Sequence, residues 1–192
     1  MIFMVGDSVT DLRMAFHFRA AGIVMHLQPP TPCRIGLIAD THGLLRPEAV
    51  AYLQGSDFII HAGDIGDPAI IRQLAGIAPV TAVRGNNDHA PWAAQIAEDE
   101  VLKVAGMLLY VLHDLATIAI DPVAAGFRVV VAGHSHRPSA DTRDGVLYVN
   151  PGSAGPRRFR LPIALGSLLL SEGVVTHELI EIAGDTPAAR PL

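Results

Sequence analysis

Seven residues of the types that ligate metal ions stand where apolar runs stop: Asp40 and His42, Asp64, Asn86, His113, and His134 with His136. The runs before them are "RIGLIA" (34–39), "DFIIHAG" (57–63), "APVTAVRG" (78–85), "MLLYVL" (107–112) and "FRVVVAG" (127–133). From Asp40 to Asp64 is 24 residues, then 22 to Asn86, 27 to His113 and 21 to His134. Each interval is about one strand with its crossover. Taken singly, Asp-Thr-His, Gly-Asp and Gly-Asn are ordinary turn and cap chemistry, and His113 reads equally as a core histidine with a satisfied ring. The Gly-His-Ser-His stretch at 133–136 is harder to read as turn decoration. Taken together, the set places imidazole, carboxylate and amide groups at successive strand exits, with no thiolate. Such donors suit Mn²⁺, Fe²⁺, Co²⁺, Ni²⁺ or Zn²⁺ better than Ca²⁺ or a structural zinc knuckle. Seven groups exceed what one tetrahedral ion takes. They suffice for two ions sharing a carboxylate, an arrangement suited to in-line phosphoryl displacement.

The elements that must position these groups follow from the punctuation between them. "PEAVAYLQG" (47–55) and "PAIIRQLAG" (68–76) each carry proline at a helix start and glycine at its end. With the three runs around them they predict βαβαβ and a largely parallel sheet. Parallel strands present their carboxyl ends along one sheet edge, where α/β proteins bind ligands. The second half is richer in strand, with "GVLYVN" (145–150), "GSLLLSEG" (166–173) and "VVTHELIEI" (174–182). The last two form a predicted hairpin through Ser171-Glu172-Gly173.

With 192 residues, half of them hydrophobic and 17% charged, the chain has enough apolar surface for one full core. A net charge of −5 argues against stable nucleic-acid binding. Cys33 is the sole cysteine, so no internal disulfide forms, which fits a reducing compartment. No apolar run approaches the ~18 residues of a membrane helix. Asp7, Asp11, Arg13 and Arg19 break any leader-like apolar stretch. A soluble, cytoplasmic protein is expected. Residues 1–33 read as an N-terminal extension closing on the proline-rich linker "LQPPTPC" (27–33). Residues 34–183 read as the domain, and 184–192 as a frayed tail.

The ordered motifs "DTHG", "GD", "GNND", "HD" and "GHSH", followed by "NPGS" at 150–153, resemble the calcineurin-like metallophosphoesterases. Within them they are most similar to the small YfcE/MJ0936-type phosphodiesterases. The resemblance spans about residues 34–182. It implies a four-layer α/β sandwich with two mixed sheets flanked by helices. It also implies two divalent metal ions, Mn²⁺ foremost. Asp40, His42, Asp64 and His136 would hold one ion. Asp64 would bridge to a second, completed by Asn86, His113 and His134. Asp64, Asn86 and His134 are read as the catalytic members. The implied reaction is phosphodiester hydrolysis by a hydroxide bridging the ions. A small phosphate-ester substrate, no membrane and an open possibility of homo-oligomerisation complete the expectation. The alternatives are a phosphomonoesterase or nucleotide phosphatase on the same site, or a non-catalytic scaffold like the retromer subunit that shares the fold.

Two departures, the neighbours of the ligands and a remnant complete the reading. Asn87 stands where larger relatives carry a histidine that protonates the leaving group, and an amide cannot do this. Either good leaving groups such as aryl alcohols are favoured, or another donor enters, with His89 and His61 nearest in sequence. Asp88 is expected to orient a ligand or pair with Arg84. Asp114 stands where relatives often carry Gly-His, leaving substrate contacts at that edge unassigned. Asn150 and Ser153 are expected to fix the loop beside the site. "MVGDSVTDLRMAFHFRAAGIV" (4–24) resembles the last motif of haloacid-dehalogenase-type phosphatases, without the Asp-x-Asp nucleophile motif that class needs. It reads as a fused remnant that packs loosely, or else adds a helix or dimer contact.

Overall fold

The computed structural model describes residues 25–27, 31–158, 160–182 and 190–191. The haloacid-dehalogenase-like stretch, residues 28–30 of the proline-rich linker and most of the tail lie outside them.

Among the described residues, twelve strands form two six-stranded mixed sheets. The first holds β2 (Cys33–Ile38), β3 (Phe58–His61) and β4 (Val80–Ala82) in parallel, extended antiparallel by β10 (Ala164–Ser171), β11 (Val174–Glu181) and the short β12 (Arg190–Pro191). The second runs β1 (Met25–Leu27), β5 (Asp99–Val104), β6 (Met107–Leu112), β7 (Phe127–Val131), β9 (Val146–Asn150), β8 (Ser139–Arg143). In it β6, β7 and β9 are parallel. Two helices, α1 (Pro47–Leu53) and α2 (Pro68–Ala75), connect β2 to β3 and β3 to β4. The βαβαβ unit and the β10–β11 hairpin stand as expected. Sequence reading missed β5 and β8. Both are partly exposed strands with charged residues, so neither shows a continuous apolar run.

Period-2 alternation builds the layers. Ile35, Leu37, Phe58 and Ile60 face Leu109, Val111, Val129 and Val131 between the sheets. Ile38, Ile59 and Leu165 point outward under Leu53, Ile70, Ile71 and Leu74 of the helices. Tyr110, Leu112 and Val130 point out of the second sheet, beneath Leu115 and Ile118. Both faces of these strands are therefore buried, which is why they read as unbroken apolar runs. A 3₁₀ turn at Leu115–Thr117 and the loop after it form the fourth layer among the described residues.

Met25–Leu27, within the stretch read as extension, pairs in parallel with Leu102–Val104 as the edge strand of the second sheet. Cys33 is wholly buried, and burial pushes its thiol up to about 11.

The strand ends do not share one sheet edge. β2, β3 and β4 deliver Asp40, His42, Asp64 and Asn86 from the first sheet, while β6 and β7 deliver His113, His134 and His136 from the second. The reason is the β5–β6 hairpin, which opens a second sheet after β4. Stacking the sheets brings both sets of carboxyl ends to one place.

Candidate metal centre

The backbone around the site is shaped before any side chain is placed. Five of the seven predicted residues adopt positive φ: Asp40 (52°), His42 (45°), Asp64 (55°), His134 (64°) and His136 (56°). The other non-glycine residues of this kind among those described are Ala105, Asp144 and Glu172. Each of these precedes a glycine in a two-residue hairpin turn, where positive φ is required. At the site no turn type demands it, so the strain there is held by the surroundings. The loops after β2 and β3 continue pairing beyond the strands. Asp40 N–H donates to the Gly63 carbonyl (2.9 Å), and His42 N–H to that of Asp64 (2.9 Å). Gly85 has to be glycine, since a Cβ there would lie 2.1 Å from Asp64 Oδ1. At Gly63, a Cβ would lie 2.5 Å from the His113 ring.

All seven residues meet. Asp40 is wholly buried, and neither carboxylate oxygen has a hydrogen-bond partner among the described residues. His136 Nε2 approaches Asp40 Oδ1 to 3.2 Å, but without hydrogen-bond geometry. His42 Nε2 lies 3.3 Å from His136 Nε2 and 3.7 Å from Asp64 Oδ2. On the other side of Asp64, Oδ1 is 3.4 Å from His113 Nε2. Asn86 Oδ1 sits 3.0 Å from His113 Nε2 and 2.9 Å from His134 Nδ1. Asp64 is thus the residue with one oxygen toward each histidine group. Oxygen and nitrogen lone pairs converge on common points, which costs energy unless a cation compensates. The Asp40–His42–His136 and Asp40–Asp64–His113 sets each lie within 4.8 Å, so the donors present fit divalent ions.

Supporting contacts fix the donors. His113 Nδ1 lies 2.7 Å from the Ala62 carbonyl and donates to it, leaving Nε2 with its lone pair toward the site. Burial alone pushes the Asp64 carboxyl up. The His113 ring in its protonated, metal-free form and the hydrogen bonds from both amides of Asn87 outweigh it and hold Asp64 below the usual carboxylate range. For His113 the balance has the same form: burial lowers its value, but Asp64 and the Ala62 carbonyl raise it above that of free histidine. Burial dominates at His42 and lowers it. Asn150 Nδ2 donates to the Gly133 carbonyl and to Ser135 Oγ (3.0 Å), and Ser153 Oγ donates to the Asp40 carbonyl (2.9 Å). Both therefore brace the loops, as read from the sequence.

Several expectations change. Asp88 does not pair with Arg84. Its carboxylate accepts the N–H groups of Ile65 (3.1 Å), Gly66 (2.8 Å) and Gly85 (2.9 Å), tying two ligand loops together, while Arg84 pairs with Glu98. Three backbone donors outcompete a half-exposed guanidinium for a buried carboxylate. Asn87 is not idle, since its backbone N–H (2.8 Å) and side-chain amide hold the two Asp64 oxygens. His61 is wholly buried, with Nε2 2.9 Å from Thr41 Oγ1, and burial drives its value down to about 3. It stays neutral and is no proton donor to a substrate. His89 is exposed and, with Asn86 and His113, lines a cleft of about 630 Å³. Asp114, unassigned by sequence, places Oδ2 3.7 Å from His134 Nε2 and uses Oδ1 to cap the 3₁₀ turn (2.9 Å to Ala116 N).

Known proteins are similar to this chain. Residues 33–173 match the calcineurin-like phosphoesterase superfamily domain. A probable metallophosphoesterase of Methanocaldococcus jannaschii is 32% identical over 161 residues, covering 77% of this chain and 81% of its own length. A phosphodiesterase of the same organism is 24% identical over 137 residues, 62% of this chain and 82% of that one. Among solved structures, vacuolar protein sorting 29 from Cryptosporidium parvum superposes with a TM-score of 0.72 at 17% identity, covering 84% of this chain and 96% of that one.

Proposed function

The chain belongs to the calcineurin-like phosphoesterase superfamily, and from that premise we propose that it is a two-metal phosphodiesterase. One observation carries the reading: a wholly buried Asp40 carboxylate with both oxygens unpartnered, facing two histidine rings. A buried carboxylate left this way is costly unless a cation occupies the space beside it. Asp40, His42, Asp64 and His136 would hold one divalent ion. Asn86, His113 and His134 would hold the other, with Asp64 shared. Mn²⁺ is the first choice, with Ni²⁺, Fe²⁺, Co²⁺ and Zn²⁺ compatible with the same donors. Bound there, divalent ions supply Lewis acidity toward phosphoryl oxygens and an acidified water.

The chain's own residues do the rest. Asn87 keeps Asp64 ionised and oriented through two donated hydrogen bonds. The Ala62 carbonyl fixes the His113 tautomer. The cleft beside Asn86 and His113 is lined by Arg84, His89, Pro91, Ala94, Asp114 and Thr117, and it has room for an ester group. With an amide at 87 and His61 sealed away, leaving-group protonation falls to His89 or to solvent. Aryl diesters are accordingly the favoured test substrates.

The test is turnover of an aryl phosphodiester and the matching aryl monoester by Mn²⁺-loaded protein, with Asp64→Asn as control. Diester turnover at least about tenfold above monoester turnover, abolished in the control, is expected. The reverse preference would make it a phosphomonoesterase. The likeness to vacuolar protein sorting 29 favours a scaffold as the second reading. Tight Mn²⁺ binding with no turnover of either ester would decide for it.

A further inference from the structure

The two flanks of the site carry charge differently. On the Asn86–His113 flank the one arginine of the cleft, Arg84, is neutralised by Glu98, and Asp114 adds an anion. On the His42 flank the chain runs "GPRRFR" from 155 to 160. Arg157, Arg158 and Arg160 are all exposed, and none of their guanidiniums has a hydrogen-bond or ion-pair partner among the described residues. In a chain with 14 basic residues and a net charge of −5, three of the 14 fall within four positions.

This segment is anchored to the candidate centre. Ala154 N–H donates to the Ala39 carbonyl (3.1 Å), and Ser153 Oγ to that of Asp40 (2.9 Å). Gly155 lies so close to the ligand loop that a Cβ would sit 2.4 Å from the Thr41 carbonyl oxygen. Arg46 Nε donates to the Gly155 carbonyl at 3.2 Å. The arginines therefore begin two residues beyond a point held against the Asp40–Thr41 backbone.

Unpaired guanidiniums cost little in water but gain strongly from a phosphate or carboxylate held beside them. A scissile phosphodiester carries one negative charge, which divalent ions held by the candidate ligands would already address. We infer that Arg157, Arg158 and Arg160 form a second anion subsite, so that the preferred substrate is a phosphate ester carrying a further anionic group away from the scissile phosphorus. This rests on the phosphoesterase reading above. It also gives the substrate a direction: the charged end lies over the His42 flank, and the uncharged ester group lies in the cleft beside His89.

The experiment compares thymidine 5′-(p-nitrophenyl phosphate) with the same compound bearing a 3′-phosphate. Scissile bond and leaving group are identical. With Mn²⁺-loaded protein the added phosphate is expected to raise kcat/KM about tenfold, mainly through KM, the scale of one charge-assisted hydrogen bond. In the R157Q/R158Q/R160Q protein the ratio should fall to about one. A ratio of one in the unsubstituted protein, or a ratio that survives the triple substitution, overturns the inference. A second arm needs no turnover. Thymidine 3′,5′-bisphosphate should bind the Mn²⁺-loaded protein about tenfold tighter than thymidine 5′-phosphate by calorimetry, and the triple variant should lose that difference. Equal binding overturns the subsite. Loss of turnover with the binding difference intact would instead sink the phosphodiesterase reading and leave the anion subsite standing.

Discussion

The two ends of the metal-ligating cluster are built on different principles. At the Asp40–His42–His136 end, Asp40 and His136 are buried, all three residues have positive φ, and both Asp40 oxygens lack partners. At the Asn86–His113–His134 end, Asn86 is exposed and the His134 side chain is 45% accessible. Here the donor atoms already contact one another, with Asn86 Oδ1 within 3.0 Å of both histidines. The first end is preorganised for a cation and unhappy without one. The second can satisfy its polar atoms internally and with water. The difference teaches that the closed end should fill first and hold tightest, and the open end should exchange. Asp64, shared between them, couples the two.

The largest effects come from the shared and closed positions. Asp64→Asn should lower metal-dependent turnover by about 10³-fold or more, since it removes a charge worth several kcal/mol from both ends. Asp40→Asn tests the closed end in a way activity cannot. In the metal-free protein it removes an unpartnered buried charge, so stability should rise by about 1–3 kcal/mol, seen as a Tm several degrees higher. The stabilisation that Mn²⁺ gives the unsubstituted protein should meanwhile disappear. A metal-free Tm that falls on Asp40→Asn would contradict the preorganised closed end.

Asn87 comes next. Asn87→Ala keeps the backbone donor to Asp64 and loses the side-chain one. Supporting groups of this kind are worth about 10–100-fold in metal affinity. Calorimetry with Mn²⁺ should show that loss, and aryl and alkyl diesters should suffer equally. A loss confined to alkyl diesters would mean that Asn87 acts on the leaving group after all. Asn87→His would separately show whether alkyl diesters gain from a restored donor, a step typically worth ~10²–10⁴-fold.

Much of this was legible from residue types and order. The seven predicted residues converge because each ends an apolar run, and a strand's end is fixed by where burial stops. The three parallel strands and two helices followed from proline and glycine punctuation. What could not be read depends on distances across the chain. Asp88 looked like a partner for Arg84, four residues back, yet two amide groups from the loop after β3 and that of Gly85 take it. Strand β8 (SADTR) is largely exposed and polar, so no hydrophobic pattern marks it. The split into two sheets is set by the β5–β6 turn at Ala105-Gly106, whose positive φ angles no apolar pattern records. The "RRFR" run was visible, but only its anchoring on the Asp40 loop gives it a place.

Proton competition should separate the two ends by about tenfold per pH unit, since each histidine must be neutral to ligate and a bound ion displaces one proton. His113, raised by Asp64 and the Ala62 carbonyl against the effect of burial, still carries its proton where His42 has lost it. As pH falls through the raised His113 value, the open-end ion should leave first, and the closed end should retain its ion to lower pH. In the metal-free protein the sign reverses. The protonated His113–Asp64 pair contributes stability that is fully present below the unfolded-state histidine value and is lost as pH rises through the folded one. Above the unfolded-state histidine value His61 and His42 are neutral in both states, so in that window metal stoichiometry and metal-free Tm should move in opposite directions.

Asp114 offers the smallest and most specific test of the open end. Its Oδ2 faces His134 Nε2 at 3.7 Å, while His134 turns Nδ1 toward Asn86. A carboxylate behind a ligating imidazole orients the ring and raises its basicity. Here the pair is loose and about a third of the Asp114 side chain is exposed, so solvent screens most of the effect. Asp114→Asn keeps an oxygen to cap the 3₁₀ turn, where Oδ1 accepts from Ala116 N–H. It should therefore leave folding intact and weaken Mn²⁺ at the open end alone, by about two- to fivefold. The closed-end affinity, read as the tighter phase of the same titration, should not move. If both phases weakened together, the two ends would be one cooperative unit, and the difference in their construction would carry no difference in metal binding.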